Sequence, residues 1–302
     1  MGNKGKKVLL VGDNPFHGIS HLSQERARVR GNPMDHAEHA ADLVMTSVEN
    51  GADGFMFSVS ETTLSILNKI CEKEENNHLR FYALVPYAYE YFRLATQVGG
   101  IPGLAKKFAK QILFSGNVKA IAMGLKGVIR TDPMALLKTY LIYEISRIKS
   151  SAGKQANLES VLLHEIITDM ALALNLDWLF KSYVDFMLKL EIKPGFDTRN
   201  FVYLVNKFME WGINFKDLVI AAPFNRVGFQ MNPSKKEYEN ALENLNETNV
   251  IAISILAAGY LKPPEAIRYI ESLPNIKGVA VGVSKEQHAR ETFKLLKDRL
   301  GG

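Results

Sequence analysis

Residues able to move protons are concentrated near the start of the chain. Four of its seven histidines, His17, His21, His36 and His39, fall within Val8–His39, together with Asp13, Asn14 and Ser20. An imidazole changes charge near neutral pH wherever it sits, so His17, His21 and, farther along, His164 are candidate proton donors or acceptors. Asp13, Glu165 and Asp197 are the carboxylates expected to orient these histidines. His17 and His21 are four residues apart and His36 and His39 three apart, so each pair could share one helical face. With His164, Glu165 or Asp197 added, the nitrogen and oxygen donors would suffice for zinc or another divalent ion. Neither a His-x-His on the first apolar run nor a His-Glu-x-x-His is present. The metal therefore stays an open alternative, and His36 and His39 read as solvated residues of a first helical turn.

Short apolar runs bounded by turn residues position these groups. Val8–Gly12, Gly54–Val59, Phe81–Val85, Val161–His164, Lys193–Phe196, Leu218–Ala222, Val250–Leu256 and Gly278–Val283 alternate with longer amphipathic stretches, the pattern of a parallel sheet wrapped by helices. Eight βα units of about 30 residues make a barrel of roughly 250, and the chain has 302. The fold expected is α/β, a single (β/α)8 TIM-type barrel over residues 1–302 with a helical insertion after strand three at 87–159. Within that insertion, helices are expected near Tyr87–Val98, Leu104–Leu113 and Pro133–Lys149, and Lys119–Met123 competes as a strand. Helix starts are read at Asn32-Pro33, at Ser60-Glu61 and at Ser284-Lys285-Glu286-Gln287, which has the form of a capping box. Ala289, Phe293 and Leu296 then follow at helical spacing. The apolar stretch Asp169–Glu191 is expected to be buried, under the insertion or against a second subunit, with self-association put ahead.

In such a barrel the active mouth lies at the C-terminal ends of the strands. His164 and Glu165 are adjacent on one strand and leave on opposite faces; His164 is taken to point inward with Leu162. Small residues at Ala252, Ser254, Ala280, Gly282 and Ser284 suggest the same inward parity in the last two strands. An anion site is expected where Ala257-Ala258-Gly259 and Gly282-Val283-Ser284 lie side by side, since glycine admits close backbone approach and a helix start offers free N–H groups. Asn14, Asn225 and Arg226 complete the expected substrate contacts, and Arg199 could add a second anionic contact.

Composition narrows the class. The hydrophobic fraction is 47% and the charged fraction 23%, with a net charge of +5 spread over helices and termini. No Lys/Arg block with interleaved aromatics points to nucleic acid, and no apolar stretch approaches the ~20 residues of a membrane span. The single cysteine, Cys71, excludes an intramolecular disulfide and fits a reducing, cytoplasmic setting. It is read as lying mid-helix on the apolar side. No lysine sits at the mouth end of a strand for Schiff-base chemistry, and no Gly-x-Ser-x-Gly elbow or Walker loop occurs.

Ile253–Leu300 resembles the tail of an aldo-keto reductase, through Ile255-Leu256-Ala257-Ala258-Gly259, Pro263–Ile270 and Gly278-Val279-Ala280-Val281-Gly282-Val283-Ser284. The resemblance implies that Gly282 and Ser284 help hold the phosphate of a nicotinamide cofactor. Leu162-Leu163-His164 is similar to the strand that brings that family's catalytic histidine. The family's aspartate and tyrosine are absent from Phe57-Ser58-Val59-Ser60, and Val85-Pro86 stands where its lysine would be. The likeness covers about a fifth of the chain. The leading expectation is thus an enzyme (lyase, isomerase or hydrolase) acting on a small phosphorylated or carboxylated metabolite by His/carboxylate chemistry. The alternatives are an NADP- or FMN-dependent reductase of altered mechanism and a non-catalytic barrel that binds or assembles.

Overall fold

The computed structural model describes residues 5–17, 37–73, 78–86, 133–153 and 156–301. Eight parallel strands close into a barrel in simple sequence order: β1 (Val8–Gly12), β2 (Gly54–Ser58), β3 (Arg80–Val85), β4 (Asn157–Leu163), β5 (Lys193–Asp197), β6 (Val219–Pro223), β7 (Asn249–Ile253) and β8 (Ile276–Gly282). β8 pairs back onto β1 with Gly282 opposite Gly12, so the sheet has no open edge. All eight expected strands are present, with shifted ends, and β3 pairs directly with β4. Lys119–Met123 is therefore not needed to complete the barrel, and that segment lies outside the described residues.

The helices are α1 (Ala37–Glu49), α2 (Glu61–Lys73), α3 (Pro133–Ser151), α4 (Glu165–Ala173), α5 (Asp177–Lys189), α6 (Phe201–Glu210), α7 (Lys235–Glu243), α8 (Pro263–Ser272) and α9 (Glu286–Leu300). Helix α3 packs on α2 and α5, the place of the third crossover helix. The stretch Pro133–Ser151 thus belongs to the barrel's own helical ring, and β4 begins at Asn157, inside the span expected to be insertion. The helices expected near Tyr87–Val98 and Leu104–Leu113 lie outside the described residues, as does the start at Asn32-Pro33.

Strand alternation sorts the core into two layers. Leu10, Met56, Tyr82, Leu84, Leu162, Val219, Ala221, Ile251 and Ala280 fill the barrel interior. The opposite parity packs outward against the helices and is rich in aromatics: Phe55 and Phe57 stack at 5.1 Å, and Phe196 meets both Phe180 and Phe208. In β7 the interior residue is Ile251, with Ile253 packed beside it, and Ala252 faces the helices. The expected inward parity of Ala252 is corrected accordingly.

Local chemistry explains several element ends. Ser60 Oγ accepts from the Thr63 N–H at 3.2 Å while Thr63 Oγ1 accepts from the Ser60 N–H at 3.0 Å, a reciprocal box that opens α2. The box expected at Ser284 does not form. Helix α9 starts at Glu286 after an extended Lys285 with no side-chain cap, and the Gln287 amide donates to Glu291 instead. Ala289, Phe293 and Leu296 are buried on α9 as their spacing requires. The stretch Asp169–Glu191 is two helices, broken where Asn175 turns left-handed at φ 51°. It is buried on one side through Leu172, Phe180, Tyr183 and Met187, whereas Met170, Leu174 and Trp178 are exposed. Cys71 is also exposed rather than on the apolar side of α2. None of the described helices is long and apolar enough to cross a membrane.

Candidate active site

At the C-terminal end of β1 the chain turns through a short 3-10 segment, Asn14–His17. The turn folds His17 back onto the residue that ends the strand: Asp13 Oδ2 lies 3.0 Å from His17 Nε2 and also accepts from the Ser58 N–H at 2.6 Å. Both side chains are buried, with 8% of Asp13 and 5% of His17 exposed. The carboxylate thus ties the first loop to the end of β2 and orients the imidazole through its Nε2. Asn14 is exposed beside this pair.

Strand β4 delivers His164. Its parity follows interior Leu162, while Leu163 packs outward. The residue also serves as the N-cap of α4, its Nδ1 accepting from the Ile166 N–H at 3.3 Å. A neutral imidazole that accepts at Nδ1 carries its proton on Nε2. Burial holds the His164 pKa below its ordinary value, against the upward pull of Asp197, so the neutral form prevails near pH 7.

Strand β5 ends in Asp197-Thr198-Arg199-Asn200 and supplies the charged centre. Arg199 Nη1 donates to Asp197 Oδ1 at 2.9 Å, and Nη2 forms a close ion pair with Glu165. Burial pushes the Glu165 carboxyl up to about 7, with Arg199 drawing it down. One turn along α4, Asp169 accepts from Thr198 Oγ1 at 2.5 Å, from the Arg199 N–H at 3.1 Å and from Asn200 Nδ2 at 2.9 Å. Its pKa is raised by burial despite these three donors. The Tyr238 hydroxyl, from α7, donates to the Arg199 carbonyl at 2.7 Å and accepts from the Phe201 N–H. A hollow of about 410 Å³ opens beside this cluster, lined by Glu165, Ile166, Asp169, Met170, Ala173 and Arg199.

The structure therefore brings Asp13, His17, His164, Glu165 and Asp197 to the mouth. His21 and His36 lie outside the described residues, and His39 is exposed on α1. Among the described residues no group of three or more His, Cys, Asp or Glu side chains is arranged to hold a metal ion.

Of the expected anion contacts, Asn225 and Arg226 are engaged elsewhere. A Cβ on Gly282 would lie 2.7 Å from Pro15 Cδ, so that glycine makes room for the first loop. Gly259 closes a turn at φ 92°, following Ala257 and Ala258, which are themselves left-handed. Ser284 precedes α9 without capping it. Asn225 is fully buried, its amide clamping the Phe229 N–H and C=O at 2.8 Å each. Arg226 is 61% exposed and pairs with Glu265. Asp169, Thr198, Asn200 and Tyr238 were not singled out from the sequence. Asp169 alone carried a readable signal, since it lies four residues after Glu165 on one helix face.

No known family's sequence pattern matches the chain, and no curated protein matches it. Solved structures do. Two described as aldo-keto reductases from Pseudomonas aeruginosa superpose with TM-scores of 0.58 and 0.57 at 10% and 11% identity, over 98% and 99% of this chain and 91% and 94% of theirs. The holo form of an aldo-keto reductase from Bacillus halodurans gives 0.52 at 11% identity, covering 97% of this chain and 87% of that one. The chain is a (β/α)8 barrel that resembles the aldo-keto reductase fold.

Proposed function

We propose that the barrel mouth is the active site of an enzyme that acts on a small polar metabolite by His/carboxylate acid–base chemistry. The observation that supports this reading is the meeting of two differently prepared histidines at one mouth. His17, held through Nε2 by Asp13, serves as the base. His164, neutral and accepting at Nδ1, serves as the proton donor. Glu165, with its carboxyl raised to about 7, changes charge in the working range and lies beside Arg199. A base and an acid set apart in this way suit proton abstraction and return, as in isomerases and lyases, and also water activation. The phosphorylated or carboxylated substrate expected from the sequence finds no dedicated cradle among the described residues. Among the described residues Arg199 is the mouth's cation, and its Nη1 and Nη2 are paired with Asp197 and Glu165.

The test is turnover. The full chain would be incubated with a defined mixture of sugar phosphates, hydroxy acids and amino alcohols, and product formation followed by mass spectrometry. His17→Ala and His164→Ala are each expected to lower the rate about 100-fold or more; unchanged turnover in both variants would remove the assignment.

A second reading, a nicotinamide- or flavin-dependent reductase of altered mechanism, draws on His164 at the end of β4. Its expected phosphate contact at Gly282 is covered by Pro15. Titration with NADPH, followed by tryptophan fluorescence, tests it directly.

A further inference from the structure

The described part of the mouth offers acceptors in excess of donors. Four carboxylates, Asp13, Glu165, Asp169 and Asp197, are gathered there, and Arg199 is the one guanidinium they pair with among the described residues. Asp197 is only 4% exposed, and Arg199 reaches its Oδ1 alone; no described donor meets Oδ2. Asp13 has both its donors on Oδ2 and none on Oδ1. Ser58 is 7% exposed, shares the inward parity of Met56, and its Oγ has no hydrogen-bond partner among the described residues. The charges of Asp13 and Asp197 both act on His164, so the β1 and β5 walls converge on one imidazole. Carboxylates kept this far from water carry a desolvation cost that a bound donor, above all a charged one, would offset.

We propose that the mouth recognises a small protonated amine, whose N–H donors and any neighbouring hydroxyls meet the oxygens of Asp13, Ser58 and Asp197 that lack donors among the described residues. This rests on the acid–base reading of the same mouth and names its substrate class. A primary ammonium carries three donors and the charge that one guanidinium among four carboxylates leaves uncompensated among the described residues. An anion would face Asp13, Asp197 and Asp169, and Arg199, the guanidinium among the described residues, already gives Nη1 to Asp197 and Nη2 to Glu165, which leaves only its buried Nε without a partner. A neutral diol would satisfy the acceptors and leave the charge.

The experiment is a calorimetric binding series on the full wild-type chain at pH 7.5. Amino alcohols of two to five carbons, from ethanolamine to 5-aminopentanol, are compared with the matched diols and hydroxy carboxylates. An amine is expected to bind at least about tenfold more tightly than its diol and its carboxylate. Ser58→Ala, which removes only Oγ, should weaken the amine roughly tenfold. Asp197→Asn should abolish the preference of amine over diol. The inference is overturned if a diol or carboxylate binds best, if no amine binds below 10 mM, or if Ser58→Ala and Asp197→Asn both leave amine affinity unchanged. These outcomes are read from binding alone. They stay separate from the acid–base reading, which stands or falls on turnover by the two histidine variants.

Discussion

Arg199 carries the charge balance of the mouth. Its guanidinium serves Asp197 and Glu165 while its backbone N–H serves Asp169. Removing one partner from a largely buried ion pair leaves the other charge uncompensated, which costs more than the pair itself contributes. Arg199→Met is therefore expected to lower unfolding free energy by about 3 kcal/mol in urea titrations at pH 8, and by less at pH 5.5, where Glu165 is protonated. Glu165 makes its own signature. Its folded pKa of about 7 lies above the ordinary value of 4.5, so between those values the folded state holds a proton that the unfolded chain has released. Stability contributed by this group is full below pH 4.5 and is lost as pH rises through 7, by roughly 3 kcal/mol in total. Glu165→Gln should remove that slope, so the variant gains on the wild type across the window in denaturation curves taken at half-unit steps of pH.

At the scale of elements, the first loop is seated by what β8 lacks. Pro15 packs where a Gly282 side chain would be, at 2.7 and 2.8 Å from the position of its Cβ. Gly282→Ala should cost about 2 kcal/mol and displace the Asn14–His17 turn, visible as a shift of the His17 ring resonances. Gly12→Ala, whose Cβ would meet nothing closer than 3.4 Å, is expected to be milder and serves as the control. The β5–α6 connection depends on Tyr238, whose hydroxyl bonds both the Arg199 carbonyl and the Phe201 N–H. Tyr238→Phe should cost about 1–2 kcal/mol and raise hydrogen exchange at residues 198–201 more than elsewhere. Non-glycine residues are held left-handed at Ser254, Ala257 and Ala258 after β7, a conformation that costs of order 1 kcal/mol each.

For the molecule as a whole, the barrel was legible because strands buried on both faces read as short, nearly continuous apolar runs, and eight of them recur between amphipathic stretches. The same property hid their parity. In Asn249–Ile253 nothing but packing tells Ala252 from Ile251, and the small residue turned out to face the helices. The placement of Asp13, His17, His164, Glu165 and Asp197 at the mouth was legible because strand ends in this fold collect at one face. Their supports were not. Asp169 and Tyr238 reach the site from helices, through contacts 30 and 39 residues apart in sequence, which no local pattern announces. The packing of Pro15 against Gly282 was not legible either, because a glycine at a strand end does not announce what fills the space above it.

The opposite end of the barrel has a consequence of its own. The Lys7 N–H donates to the Leu300 carbonyl at 3.0 Å, so the foot of the first strand and the tail of the last helix are knotted together beneath the barrel, remote from the mouth. The order in which the eight units are joined is then a matter of covalent convenience. A circularly permuted chain, with a short glycine linker from Gly301 to Gly5 and new ends between the exposed residues Lys216 and Asp217, should fold to the same barrel. The expected outcome is an unchanged far-ultraviolet circular dichroism spectrum and a single cooperative melt.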